Sequence, residues 1–533
     1  MSYLVVALHG HLPFINHPEH EFFLEEDWLF EAVADCYLPI LAMLDGWKKD
    51  AVPAAITMGL SPPLLSMLAN RELRERTVRY LEGRRELVAR YLLTLSDDSL
   101  FREAALFSLE ETERAQARYE GTGRDLARAF AEHQEGDAEG GARLEIMTCN
   151  VTHGLMPVLQ DLNVARAQVR EAVKVHERHV GTRPRGIWLP ECGMHPHALR
   201  ALAEENLCFT FCEDRAVRFA WPSPQHDVYR PLWSPEGVAV FPRDPGSAKE
   251  VWSASEGYPG DFRYREFYRD LGYDAKDDML SPVHKQGTGL RKNTGVKLHR
   301  ITGRVGLDEK LAYSPSAALV AVQQHAQHFA ERRTQDAFDI AKALAVEPCI
   351  TAAFDAELFG HWWHEGPWFL DAFMRKLTSA ADGSPALRPV TALHYLELEP
   401  TQQVSYPAVS SWGDGGAFEV WVNTKNDWVW QRLFDAQARY TDVAKHASRE
   451  GVQGRALKQA YRELLLAQSS DWPFILTMGT QMGYAQKRPV VHLSRLHRLL
   501  SGIERGHIDE ADLAQIEERD AILPDADPDT LLN

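Results

Sequence analysis

Two carboxylates stand where chemistry is expected. Glu191 follows an apolar run in Trp188-Leu-Pro-Glu-Cys-Gly, which delivers a charge to a partly dry rim. The competing reading is a helix-start carboxylate ahead of Met194–Asn206, favoured by the helix dipole. Asp355 lies in Thr351-Ala-Ala-Phe-Asp-Ala-Glu-Leu-Phe-Gly-His-Trp-Trp-His, denser in polar and aromatic groups than a core requires. Its plainer reading is a structural ion pair between Asp355 or Glu357 and a histidine. Two carboxylates on different strands suit glycosidic-bond chemistry. One protonates the leaving oxygen while the other attacks the anomeric carbon or activates water.

Other residues surround this pair. His9, His11 and His153, with Asp355, have the types of a metal site. The alternative is that these histidines bind sugar hydroxyls or orient a carboxylate. Asp471-Trp472 breaks the helical spacing around Ala467-Gln-Ser-Ser-Asp-Trp-Pro-Phe. It reads either as a contact with the site or as a helix cap by Ser470 or Asp471. Trp412 and Trp421 flank Gly413–Gly416. They suit stacking on sugar rings or closing a domain interface.

Seven short apolar runs are positioned to carry these groups: Tyr3–Leu8, Ala54–Met58, Leu144–Asn150, Gly186–Leu189, Leu207–Cys212, Gly237–Phe241 and Pro348–Phe354. They are continuous rather than alternating, as buried parallel strands are. Helical spacing between them, over Leu29–Trp47, Arg71–Tyr119, Asn163–His179, Pro196–Asn206 and Pro315–Leu344, predicts an α/β barrel or a doubly wound sheet. Four of the runs end on ionisable groups: His9/His11, His153, Glu191 and Asp355/Glu357. Barrel enzymes build their sites at such strand ends. Residues 245 to 300 read as an excursion over the mouth, from about 426 the chain reads as helices alone, and the tail after Leu523 is expected to be loose.

The chain has 533 residues and a formal charge of −18. Such acidity disfavours nucleic acid and anionic membrane as partners. The six cysteines match no zinc ribbon and read as reduced thiols of a cytoplasmic protein. No segment has the pattern of a signal peptide or membrane span.

Five motifs together resemble glycoside hydrolase family 57, most closely its α-1,4-glucan branching enzymes. They are His9-Gly-His-Leu-Pro, Thr152-His-Gly-Leu-Met-Pro, Trp188-Leu-Pro-Glu-Cys-Gly, Phe354-Asp-Ala-Glu-Leu-Phe-Gly-His-Trp-Trp and Ala467-Gln-Ser-Ser-Asp-Trp, in family order. The resemblance implies a distorted (β/α)7 barrel over residues 1–405, with insertions near 65–140 and 245–300, and an all-helical domain over 406–533. It implies Glu191 as nucleophile, Asp355 as general acid/base, and His9, His11, His153 and Asp471 around the donor subsite. Trp412 and Trp421 would guide the acceptor, and Trp252, Trp362 and Trp472 complete the implied substrate-binding set.

The implied reaction cuts an α-1,4 bond in amylose or a glycogen-like glucan and rejoins the chain at a 6-hydroxyl. It needs no cofactor and no metal. The implied protein is a monomer or small homo-oligomer. Readings with the same site are an α-amylase or a 4-α-glucanotransferase. More distant ones are a metal-dependent deacetylase or mannosidase and a non-catalytic glucan-binding protein. One feature departs from the resemblance. Many such branching enzymes carry a loop tyrosine that excludes water from the cleft, yet Arg243-Asp-Pro-Gly-Ser-Ala-Lys-Glu-Val-Trp252 has none. Either Tyr258 or a neighbour serves, or water competes better with the acceptor and hydrolysis rises.

Overall fold

The computed structural model describes residues 1–134, 136–137, 141–253, 256–283, 291–379 and 387–532. Among these, seven parallel strands form the core. They are β1 (Ser2–Gly10), β2 (Ile56–Leu60), β3 (Leu144–Cys149), β4 (Gly186–Trp188), β5 (Phe209–Cys212), β6 (Ala239–Pro242) and β7 (Cys349–Asp355). Their order is β7-β1-β2-β3-β4-β5-β6, and every neighbouring pair is parallel. The open ends meet where the Asp244 N–H donates to the Thr351 carbonyl at 2.8 Å. The sheet therefore closes as a distorted (β/α)7 barrel rather than opening as a doubly wound sheet. Leu232–Trp233 adds an antiparallel partner to β6, and Leu387–Pro389 a parallel one to the start of β1.

Strand parity decides what enters the barrel. Tyr3, Val5 and Ala7 pack inward with Met147, Cys149, Trp188, Phe209, Phe211, Phe241, Cys349 and Ala353. The alternate residues Leu4, Val6, Leu8, Ile350, Ala352 and Phe354 face the outer helices. A period of two carries the inward face of β1 on to His9 and that of β7 on to Asp355. These two residues are register partners.

Helix Pro315–Leu344 has the predicted bounds. The Arg71–Tyr119 stretch is two helices, Arg71–Leu92 and Arg102–Gly121. Between them Ser96 donates its hydroxyl to Asp98 at 2.6 Å, the local bonding by which such residues compete with a helix. The Leu29–Trp47 stretch is interrupted by a π-turn, Val33–Tyr37, which leads into helix Leu38–Lys49. Cys36 Sγ donates to the Ala356 carbonyl at 3.1 Å, and Arg84 pairs with Asp35 at 2.7 Å.

Part of the expected excursion is regular structure. Helix Pro245–Trp252 starts on an Asp244 cap and ends at the cleft. Residues 254–255 and 284–290 of the excursion lie outside the described residues. Helices Asp427–Ala444, Gly451–Ala467, Asp471–Met478, Met482–Glu504 and Glu510–Arg519 follow. The tail expected to be loose is tied down. Asp527 N–H donates to Glu171, Tyr440 donates to the Pro528 carbonyl, and Leu531 is buried.

Gly360 shows how tightly the π-turn docks behind β7. Its φ is +114°, and an added Cβ would lie 1.8 Å from the Asp35 carbonyl oxygen. Gly360→Ala is expected to lower stability by about 3 kcal/mol, since both overpacking and a left-handed backbone oppose it. The urea midpoint checks this. A midpoint equal to that of the parent would mean that the turn does not dock there.

Candidate active site

Glu191 sits in the turn after β4 with φ 59° and ψ 23°, a left-handed conformation uncommon for a glutamate. Trp412 holds it twice: its backbone N–H donates to the Glu191 carbonyl at 2.9 Å and its indole N–H to Oε2 at 2.8 Å. Ser470 Oγ–H donates to Oε1 at 2.8 Å. The helix that follows starts at Pro196 and is capped by the His195 side chain, so Glu191 is not a helix-start carboxylate.

The ring nitrogens extend this contact in one direction. A Ser470 hydroxyl that donates to Glu191 accepts from His153 Nδ1 at 2.8 Å. His153 Nε2 then accepts from His9 Nε2 at 3.1 Å. These tautomers are assigned from the network. They leave His9 Nδ1 without a proton, and that buried atom has no hydrogen-bond partner. Burial holds both His9 and His153 well below the ordinary histidine range, so both rings are neutral. His9 also stacks on Trp188, ring centres 4.9 Å apart.

Asp471 takes the other histidine. His11 Nε2 lies 3.1 Å from its carboxylate and His11 Nδ1 lies 2.9 Å from Ser61 Oγ. Burial pushes the Asp471 carboxyl up, but His11, with the Ser469 hydroxyl, holds it below the ordinary range. Glu191 is pushed up to about 7, by burial first and the Asp471 charge second, against the pull of Ser470 and Trp412. Asp355 is pushed well above its ordinary value by burial, then by Glu357 and Glu191.

These groups line one cavity of about 610 Å³, with His9, His11, His153, Glu191, Asp355, Glu357 and Asp471 on its walls. Trp252 and Trp362 are 43% and 44% exposed, and form its aromatic rim with Trp412. A larger cavity of about 960 Å³ lies outside the barrel, against helices Leu38–Lys49 and Arg102–Gly121, and holds none of these residues.

Two expected sugar contacts are corrected. Trp421 and Trp472 are each 1% exposed and lie off the cavity. Trp421 packs in the hydrophobic core, and the Trp472 indole N–H donates to the Leu466 carbonyl at 3.1 Å. Neither ring has a free face for a sugar.

The alternatives weighed from sequence also resolve. Ser470 stands at the helix start, yet its side chain caps nothing. Glu357 makes no ion pair with a nearby histidine ring, since His361 faces Glu31 at 3.6 Å and His364 faces Glu111 at 3.1 Å. Of the residues considered for a metal, His11 and His153 converge with Asp471 rather than Asp355, their ligand atoms within 4.8 Å of one another, and both His153 nitrogens also lie within hydrogen-bond reach of protein groups.

Sequence reading did not assign Ser470 or Tyr37 to the site. Ser470 was visible beside Asp471. Tyr37 carries no motif, and only the π-turn brings it to Glu357. Ser247 and Ala248 are buried, with Ser247 bonded to Asp244 and Arg333, so the Arg243–Trp252 stretch is packed helix and not a free loop. Tyr258 does not serve over the cleft, because it bonds His328 of helix Pro315–Leu344 at 2.7 Å.

Comparison with known proteins agrees with this architecture. Residues 5–289 match the model of glycosyl hydrolase family 57, and residues 432–530 match that of the 1,4-alpha-glucan branching enzyme C-terminal region. The chain belongs to glycosyl hydrolase family 57. A 1,4-alpha-glucan branching enzyme of Thermococcus kodakarensis is 29% identical, over 97% of this chain and 77% of that protein. Among solved structures, the alpha-amylase AmyC of Thermotoga maritima superposes with a TM-score of 0.91 at 37% identity, covering 100% of this chain and 99% of that one. A family 57 branching enzyme of Pyrococcus horikoshii gives 0.87 at 28% identity, covering 99% and 96%.

The raised Glu191 carboxyl has a stability consequence. Between pH 4.5 and about 7 the folded chain keeps a proton that the unfolded chain has released. Stability contributed by this group therefore falls as pH rises through that range. The full effect is roughly 3 kcal/mol. Glu191→Gln removes it, so the Tm of the variant relative to the parent is expected to climb between pH 5 and pH 8. The slope is the readout, because loss of one donor contact gives only a constant offset. Parallel Tm curves would count against a raised Glu191.

Proposed function

We propose that this chain is a 1,4-α-glucan branching enzyme that works by retaining double displacement. The observation that carries the reading is the matched branching-enzyme C-terminal region, whose helices present Ser470 and Asp471 to the barrel site. Similarity to branching enzymes along nearly the whole chain supports it.

Glu191 is the nucleophile in this reading. Its Oε1 and Oε2 accept hydrogen bonds from Ser470 and Trp412, which fix its orientation and favour its charge. It attacks the anomeric carbon of the donor glucan. Asp355 donates its proton to the leaving glycosidic oxygen, and a covalent glycosyl ester forms on Glu191. Esterification neutralises Glu191, which lowers the proton affinity of Asp355. Asp355 then takes the proton of an acceptor 6-hydroxyl as that oxygen displaces Glu191, giving an α-1,6 branch. Two inversions retain the anomeric configuration.

His9, His11, His153 and Asp471 line the donor side, and Trp252, Trp362 and Trp412 present aromatic faces to the acceptor chain. The partners in this reading are amylose and a glycogen-like glucan, the role is glycogen synthesis, and the compartment is the cytoplasm. No helix among the described residues is long and apolar enough to cross a membrane. We divide the chain into a barrel unit, 1–405, and a helical unit, 406–533.

A second reading is an α-amylase with the same site, favoured by the 37% identity to the Thermotoga protein.

Incubation with amylose separates them. Proton NMR is expected to show new α-1,6 linkages in excess of new reducing ends. Reducing ends without α-1,6 signals would make the protein an amylase. Glu191→Gln and Asp355→Asn are each expected to cut both products by about 10³-fold or more. Retained turnover in either variant would remove that residue from its role.

A further inference from the structure

Glu357 is a buried acid of the cleft to which the double displacement above gives no part. It follows Asp355 by two residues, at the turn after β7, and lines the same cavity. Its Oε1 accepts from the His11 backbone N–H at 3.0 Å and from the Tyr37 hydroxyl. Tyr37 is the last residue of the π-turn Val33–Tyr37. A π-turn inserts one extra residue, so side chains beyond it are rotated by about 100° relative to an unbroken helix. The turn is pinned on both flanks, by Cys36 on the Ala356 carbonyl and by Asp35 on Arg84. Such π-turns often mark functional positions.

We propose that Tyr37 and Glu357 form a positioning pair that keeps a negative charge beside Asp355 throughout the catalytic cycle, so that Asp355 remains a strong base after Glu191 has been esterified. The inference rests on the retaining mechanism above.

The groups around Asp355 show why a second charge matters. It is faced by Glu357 from its own turn, Glu191 from the turn after β4, Arg243 from beyond β6 and Asp471 from the C-terminal helices. Among these neighbours Glu357 raises its proton affinity most, ahead of Glu191, while Arg243 lowers it. Arg243 is itself paired with Glu213 at 2.6 Å. Asp471 is engaged with His11. Once Glu191 is an ester, Glu357 is the carboxylate that acts most strongly on Asp355, ahead of Asp471. Around Glu357 stand Tyr37 and Cys36 from the π-turn and His11 from just beyond β1. Burial pushes the Glu357 carboxyl up to about 7, against the pull of the Tyr37 and His11 donors, so its anion is in place above neutral pH. A base of higher proton affinity takes the acceptor proton more readily, so the pair acts on the second half-reaction through Asp355.

The test is Glu357→Gln, which keeps an acceptor oxygen for Tyr37 and His11 and removes only the charge. The basic limb of kcat/KM is expected to move down by about one pH unit, as loss of a neighbouring anion requires. Rapid quench with intact-mass analysis is expected to show the glycosyl enzyme accumulating, because its breakdown slows roughly ten-fold. Tyr37→Phe is expected to shift the limb the same way by less, and to add nothing in the double variant. Glu357→Asp, which keeps the charge, is expected to restore the limb even where its rate is low. An unmoved limb in Glu357→Gln would overturn the proposal and leave Glu357 a structural acid. Full activity in Asp355→Asn would instead overturn the mechanism on which it rests.

Discussion

The Glu191 carboxylate is buried at the barrel mouth and held by donors from more than 200 residues further along the chain. The rest of the structure depends on that arrangement. Taking a carboxylate out of water costs several kcal/mol unless its oxygens are bonded. The barrel strands offer Glu191 no donor for either oxygen. One comes from Trp412 and one from Ser470. The segment that brings Ser470 is fixed to the barrel beside it. Thr152 donates to the Leu465 carbonyl at 2.5 Å, Gln168 to Gln468 at 2.8 Å, and the Ser470 N–H to the His153 carbonyl at 3.0 Å. The helical part is therefore a wall of the site rather than an appendage.

Burial alone drives every acid in the cleft the same way, towards neutrality. Their differences come from partners. Asp471 has a histidine and falls below its ordinary range; Glu191 has two neutral donors and settles near 7; Asp355 has acids for neighbours and rises. A pair in which one acid stays protonated while the other ionises is what proton transfer in both directions needs. The sorting is achieved by which side chain each acid meets, and strand parity brings Asp355 and His9 to adjacent inward positions.

Much of this was legible in the sequence, for identifiable reasons. Buried parallel strands are continuous apolar runs, so all seven were visible, and the ionisable residues at their ends marked the mouth. Helix Pro315–Leu344 has a proline start and steady periodicity. What escaped was tertiary in origin. A tryptophan in an interesting motif carries no sign of burial, so Trp421 and Trp472 looked like sugar contacts. The π-turn has no local signature. The tail after Leu523 has a loose composition but is held by Glu171 and Tyr440, which lie far away in sequence. Asp244 capping a helix turned an expected loop into packed structure, because its carboxylate also bonds Ser247 and Arg333.

Trp412 joins the two halves of the chemistry. Its indole N–H is committed to Glu191 while its ring lines the cavity, under the Arg243 guanidinium 5.6 Å from the ring centre. A ring covered by a sugar loses contact with water, and a hydrogen bond in drier surroundings strengthens. Under the proposed function, a sugar on the rim therefore strengthens the Trp412–Glu191 bond. Under the proposed double displacement, the same shielding discriminates against water as the second nucleophile, since a glucan on the rim excludes solvent from the side on which Glu191 is displaced. Under that reading the exclusion falls to Trp252, Trp362 and Trp412, with Tyr273 lining the same cavity. The proposed balance between transfer and hydrolysis then follows how long an acceptor remains on those rings.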